Sequence, residues 1–263
     1  FGVGAIGKTV DACKKAIDLS GKHGFIEYEK VNLFLYGLTM HLWPVKAEAE
    51  NVLKGCIKRA QEIGDKGLES SILSSMGNRM MLDGQTRKAN EIILDAEKMA
   101  LEDGDPKIIT YTHVMRSFFE RWIGHPQKAI ELTEGLAEVA RDIFNISAMS
   151  HVVFSRGLAL AETGRINEGI AVIKDGIAVC EKFGVFMRLG CLYNCLGYCY
   201  SEIHNIDRAM ALNYRGAEIA SHLMEKYPMG RQLYAEMYVQ CRINLLENYF
   251  DKGKFDEALR ELE

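Results

Sequence analysis

Proline is scarce, with 4 in 263 residues, and no apolar run approaches the roughly 18 residues a membrane-spanning helix needs. Few prolines with nearly half the residues apolar suit a folded, helix-rich chain rather than a disordered one. Charge of one sign is also missing as a block. The net charge is −4, spread without long runs, so no basic stripe reads as a nucleic-acid footprint and no lysine-rich amphipathic face as a membrane anchor. No charged leader followed by an apolar core opens the sequence. The 7 cysteines are odd in number and irregularly spaced, which argues against a disulfide framework. Reduced thiols in a cytoplasmic protein are the simpler reading. No stretch sustains period-two alternation between turn residues, so no strand is placed.

What is present is a beat. Gly77, Gly84 and Ala89 recur at a forty-residue step. The step from Gly77 gives Gly37, Ser117, Gly157 and Gly197; from Gly84 it gives Pro44, Gly124, Gly164 and His204; from Ala89 it gives Ala49, Ala129, Gly169 and Ala209. Columns in register at a period of 20–50 residues mark a solenoid. The small residue in the first helix of each unit and the alanine in the second let two helices approach closely. The turn residue leaves right-handed helical space. Amphipathic runs predict helix pairs over about 26–63, 67–102, 107–143, 147–182, 186–226 and 230–262, after an incomplete first repeat at 1–24. From His204 to Gly253 is 49 residues, so the helices flanking Tyr227–Pro228 are expected to run longer. The whole chain, 1–263, reads as a single repeat domain. It begins at Phe1 and stops at Glu263 inside an amphipathic run, so it reads as a piece of a longer protein.

These residues resemble the tetratricopeptide repeat, whose motif has small residues near positions 8, 20 and 27 and a turn near 15. Gly77, Gly84, Ala89 and Ala96 fit all four, as do Gly157, Gly164, Gly169 and Gly176. The period exceeds the usual 34. The long repeats are similar to those of kinesin light chains and of the C-terminal sensor regions of multidomain signalling ATPases and nucleotide cyclases. The resemblance implies an all-α, right-handed superhelical solenoid of antiparallel helix pairs, with no catalytic centre, cofactor or metal of its own. It also implies that the first helices line a concave face at repeat positions 2, 5, 9 and 12. Carried onto this chain, these are Val31, Phe34, Leu38 and His41; Ser71, Ser74, Asn78 and Met81; Tyr111, Val114, Phe118 and Arg121; His151, Phe154, Leu158 and Ala161; Cys191, Asn194, Tyr198 and Ser201.

Aromatics, amides and one arginine suit a protein or peptide partner with hydrogen-bonding needs. The expected binding residues are Phe34, His41, Asn78, Tyr111, Phe118, Arg121, His151, Asn194 and Tyr198. Phe34, Phe118 and Phe154 also suit plain packing between repeats. No cluster of lysine and arginine stands ready for a terminal carboxylate. A second reading makes the same groove a small-molecule sensor closing around Tyr111, Arg121, Asn194 and Tyr198. Apolar ends without polar capping helices would also let two copies pair as a homodimer.

Three motifs compete with this reading. Gly2-Val-Gly-Ala-Ile-Gly7-Lys8-Thr9 formally matches a phosphate-binding loop, in which backbone N–H groups, the lysine and the hydroxyl hold nucleotide and Mg²⁺. That chemistry requires a strand before the loop and a sheet around it. Gly7 instead falls on the turn column with Ala12 five residues on, so an NTPase is disfavoured. Cys191, Cys195 and Cys199 share a helical face, as soft-metal or redox ligands would. No CxxC or nearby histidine completes a tetrahedral set, and packing is the better reading. The 7 histidines form no HExxH or HxxxH pair, and no nucleophile–base pair stands out.

Overall fold

The computed structural model describes residues 6–41, 43, 45–142, 146–227 and 231–261. Among them every regular element is an α-helix, and none is long and apolar enough to cross a membrane. The helices gather into two compact units.

The first unit, Ile6–His125, holds α1 (Ile6–His23), α2 (Ile26–Met40), α3 (Lys46–Ile63), α4 (Lys66–Leu82), α5 (Thr86–Asp103) and α6 (Pro106–Trp122). Neighbours in sequence pack on each other, and the first helices α2, α4 and α6 also pack in a row. Asp65 and Asp105 cap α4 and α6 by accepting from the backbone N–H of Leu68 and Lys107 at 2.8 and 2.7 Å. Pro106 then occupies the first turn, where its missing N–H costs nothing. Gly64 and Gly104 close α3 and α5 in left-handed conformation. One core runs from Val10 to Phe119, with Met40, Leu53, Ile72 and Ile93 fully buried.

The second unit, Pro126 onward, holds α7 (Pro126–Leu132), α8 (Leu136–Asp142), α9 (Ile146–Glu162), α10 (Ile166–Phe183), α11 (Phe186–Glu202), α12 (Ile206–Lys226), α13 (Arg231–Asp251) and α14 (Phe255–Arg260). One core joins α9 to α12 through Val153, Ile173, Leu192, Cys199 and Ala209. A further cluster around Tyr234 and Met237 seats α13 against α12. Helices α12 and α13 have 21 residues each, against 18 and 17 in α10 and α11.

The small-residue columns are places of contact. A methyl on Gly77 would sit 2.4 Å from Ile93 Cγ1 and 3.3 Å from the Ala89 carbonyl oxygen. Between α9 and α10 the backbones come closer still, since a methyl on Gly169 would lie 2.7 Å from the Gly157 carbonyl oxygen. Ala49, Ala89, Ala129 and Ala209 are fully buried. The turn column takes positive φ at Gly84, Gly124 and Gly164, and at His204, where φ is 57° on a side chain that adopts it less readily. Pro44 lies outside the described residues.

Two expectations need correction. The second helix of the pair foreseen over 107–143 is split into α7 and α8 at Thr133–Gly135, with Gly135 at φ 68°. The forty-residue columns explain why. Position 136 corresponds to Ala96, Gly176 and Gly216, where space is minimal: a methyl on Gly176 would lie 2.3 Å from Val153 Cγ1. Here the residue is Leu136, which is buried, and an unbroken helix would drive it into its neighbour. Thr133 steadies the break by donating to the Ala129 and Ile130 carbonyls at 2.7 and 3.2 Å. The other correction is at Gly7, which lies inside α1 rather than at a turn. Residues 2–5 of the phosphate-loop match lie outside the described residues. The described ones supply no strand for such a loop to follow.

Candidate binding faces

In the first unit the expected residues gather on the row of first helices. Phe34 of α2 meets Tyr111 of α6 edge to face, with ring centroids 5.2 Å apart. The Tyr111 hydroxyl lies 2.8 Å from Ser75 Oγ on α4, and burial pushes its phenol well above the ordinary value. Asn78 is buried, and its amide donates to the Ser74 and Met115 carbonyls at 3.1 and 3.2 Å. Thus the polar ends of Asn78 and Tyr111 join α4 to α6, and the Tyr111 ring joins α6 to α2. His41 is buried at the end of α2. Phe118 and Arg121 are half-buried on α6. Around them Ser71, Ser74 and Ser75 each return their hydroxyl to the carbonyl four residues back.

A charged chain on α5 and α6 was not legible beforehand. Glu97 of α5 pairs with Arg116 of α6 and lies 3.4 Å from His113. Arg116 reaches Glu120 at 3.3 Å, and Glu120 reaches His125 at 3.1 Å. Burial pulls the His113 imidazole below its ordinary value, with Glu97 pulling the other way. The i, i+4 spacing of Arg116 and Glu120 was visible in the sequence. Only packing brings in Glu97.

In the second unit His151 of α9 accepts at Nε2 from Arg188 of α11 at 2.6 Å, and the Arg188 guanidinium lies over the Phe154 ring, 5.0 Å from its centre. Tyr198 is half-buried against the α9–α12 core. Asn194 enters an amide ladder. It donates to Asn213 Oδ1 at 3.0 Å, Asn213 donates to Asn248 Oδ1 at 3.4 Å, and Asn248 donates to Ser201 Oγ at 2.7 Å. Asn244 also reaches Asn213, at 3.5 Å. Asn213 is wholly buried. Its signal was in the columns: Leu53, Ile93 and Ile173 occupy the same position, with Thr133 at the α7–α8 break, so an amide there marks a buried polar exception.

The three aligned thiols lie in packed surroundings. Cys195 and Cys199 are buried, and burial pushes the Cys199 thiol up to about 12. Cys191 sits with its sulfur 3.5 Å from Met237 Sδ. Among the described residues no three His, Cys, Asp or Glu side chains are grouped to hold a metal ion.

Among the described residues, clefts open on the second unit. One of about 620 Å³ runs along α12 past Phe186, Ile219, His222 and Tyr227. Another, of about 430 Å³, lies at the α7–α8 break beside Met149, Arg156 and Gly176. Neither is lined by Tyr111, Arg121, Asn194 or Tyr198.

Helix pairs with small residues at their crossings, repeated in register, define a tetratricopeptide-like helical repeat fold. No protein-family model and no curated protein sequence matches the chain. Solved structures do. NprR in complex with its cognate peptide NprX aligns over 97% of this chain and 76% of its own, at TM-score 0.64 and 12% identity. A signal transduction ATPase with numerous domains from Pyrococcus horikoshii, bearing a tetratricopeptide repeat sensor, aligns over 89% of this chain at TM-score 0.63 and 14% identity. That match spans only 34% of the ATPase. A putative kinesin light chain with nearly identical repeats from Podospora anserina aligns over 72% of this chain and 90% of its own, at TM-score 0.54 and 15% identity. At these identities the likeness is one of fold.

Proposed function

We propose that this chain is a non-catalytic interaction module that docks a peptide segment of a partner on its first helices, as the regulatory part of a larger cytoplasmic signalling protein. The observation that carries the proposal is the face of α9 and α11. There His151, Phe154, Arg188 and Tyr198 offer half-buried aromatic and polar groups together, the mixture that recognises a peptide backbone and its side chains. The peptide bound in the NprR structure, on the same fold, supports this reading. In the first unit Asn78 and Tyr111 act mainly within the protein, and Phe34, Phe118 and Arg121 stand half-buried beside them.

A random decapeptide library passed over the immobilised chain tests the proposal. Retained peptides should lose at least about tenfold in affinity on Tyr198→Ala or His151→Ala, the loss of roughly one anchoring contact. A change on a second helix, such as the exposed Glu91→Ala, should leave affinity unchanged. If no peptide is retained, or if affinity is indifferent to the first-helix changes, the proposal fails.

Pairing of copies is a separate part of the reading. It is supported by exposed apolar side chains on the outermost helices of each unit: Leu19, Phe25 and Tyr28 on and beside α1 and α2, and Val239, Ile243 and Leu259 on α13 and α14. Light scattering should give twice the monomer mass, and a monomer at tens of micromolar would refute it.

A further inference from the structure

Arg59, Arg79, Arg116, Arg156 and Arg242 are, like Arg188, at least partly buried, and each has a carboxylate within 4 Å. Arg188 has none among the described residues. Its partners are the His151 Nε2 and the Phe154 ring, both uncharged. Because Nε2 accepts from the guanidinium, His151 is neutral with its proton on Nδ1, and it offsets none of the positive charge. Of the five donors a guanidinium carries, one serves His151, and the buried Nε has no partner. The cation stands in the first turn of α11, where the helix dipole already favours negative charge; that turn has no acidic residue, and Val185 supplies no side-chain cap. Spaced three residues before Cys191 and ten before Tyr198, Arg188 continues the stripe of α11 that carries the expected binding residues.

A half-buried cation without a counter-charge among the described residues, set over a ring and bonded to an imidazole, is prepared for an anion from outside. We infer that Arg188 is a carboxylate-recognition site and that the peptide docking on the second unit presents an Asp or Glu side chain or a free C-terminus to it. One guanidinium offers one unit of charge in a planar fork, which matches a carboxylate in charge and geometry. Phe154 and His151 are positioning residues for that fork. The inference rests on the peptide reading above and sharpens it to a ligand class.

The test uses the same decapeptide library in two forms, with free and with amidated C-termini, against the wild-type chain, Arg188→Met and Arg188→Lys. Wild-type binders should be enriched in Asp and Glu in the amidated library or, if the C-terminus is the source, should come only from the free-acid library. Arg188→Met should bind those peptides about 10- to 100-fold more weakly, the loss of one charge-assisted contact, and its own selected binders should show no acidic preference. Arg188→Lys should keep the preference at reduced affinity. Thermal melts of each variant separate loss of recognition from loss of fold, and Arg188→Lys carries the test if Arg188→Met is unfolded. Wild-type binders without acidic enrichment in either library, or enrichment that survives Arg188→Met, overturn the inference and leave the peptide reading standing. Retention of no peptide by any of the three proteins overturns both.

Discussion

Two glycines lie inside helices of the first unit in opposite surroundings, and substituting alanine at each isolates one physical effect. Gly55 is exposed on α3, and a methyl there would have no neighbour within 4 Å. Gly77 on α4 is buried, and its methyl would fall 2.4 Å from Ile93 Cγ1 and 3.1 Å from Cδ1. Carbon atoms prefer about 3.5–4.0 Å, so α4 and α5 must part by roughly an ångström or Ile93 must leave its fully buried site. Both substitutions gain the same helix propensity, about 1 kcal/mol. Gly55→Ala is therefore expected to stabilise by about 0.5–1 kcal/mol. Gly77→Ala adds an overpacking cost of about 1–3 kcal/mol and is expected to lose stability. The propensity gain cancels between the two variants, so the gap in their stabilities, about 1–3 kcal/mol, is the packing cost alone. Urea unfolding followed by circular dichroism reads it as midpoints moving in opposite directions at constant slope. If Gly77→Ala raised the midpoint as Gly55→Ala does, close approach at the small-residue columns would not be what holds the pairs together.

Asn213→Ile is expected to cost about 2–4 kcal/mol, because Asn194 and Asn248 lose their partner in a buried place; the double variant with Asn248→Leu should recover much of that in the same unfolding assay. Thr112 Oγ1 is fully buried and unbonded, so Thr112→Val should be neutral or stabilising by up to about 1 kcal/mol in thermal melts, and a clear loss would reveal a hidden partner. Burial holds the thiols of Cys56, Cys199 and Cys241 up at about 12 against an ordinary 9.0. The folded state thus favours the neutral form, and the stability it confers is intact below pH 9 and lost as pH climbs toward 12. Each such thiol should steepen the decline by about 1.4 kcal/mol per pH unit in that window, and Cys56→Ala should flatten it measurably.

Much of the architecture was legible because close packing leaves a mark that composition does not hide. Gly77, Gly157 and Ala89 are small for a reason that any repeat of the same crossing must share, so their spacing reported the helix pairs directly. Leu136 shows where that reading stops. The break was implied by a large residue in a small-residue column, yet only neighbours such as Val153 show how little room that column has. The binding residues were less legible. Helical spacing placed His151, Asn194 and Tyr198 on first helices, but whether an amide faces outward or inward depends on residues far along the chain: Asn194 turns to Asn213, and Asn78 to the Met115 carbonyl. Arg188 was overlooked because a charge becomes informative only when its partners are counted, and that count needs coordinates.

The asparagine ladder also bears on how such a chain can be edited. A forty-residue repeat invites excision or duplication of whole modules, with the splice hidden by the period. Modules whose second helix carries Ile93 or Ile173 at the crossing present the same apolar plug, to Gly77 and to Gly157, and are expected to exchange. The module containing α12 is keyed instead: Asn213 fits only between Asn194 and Asn248. Moved elsewhere it would strand an amide in oil. Lengthened or shortened versions of this protein should therefore be spliced ahead of α11, with α11 to α13 carried over as one block.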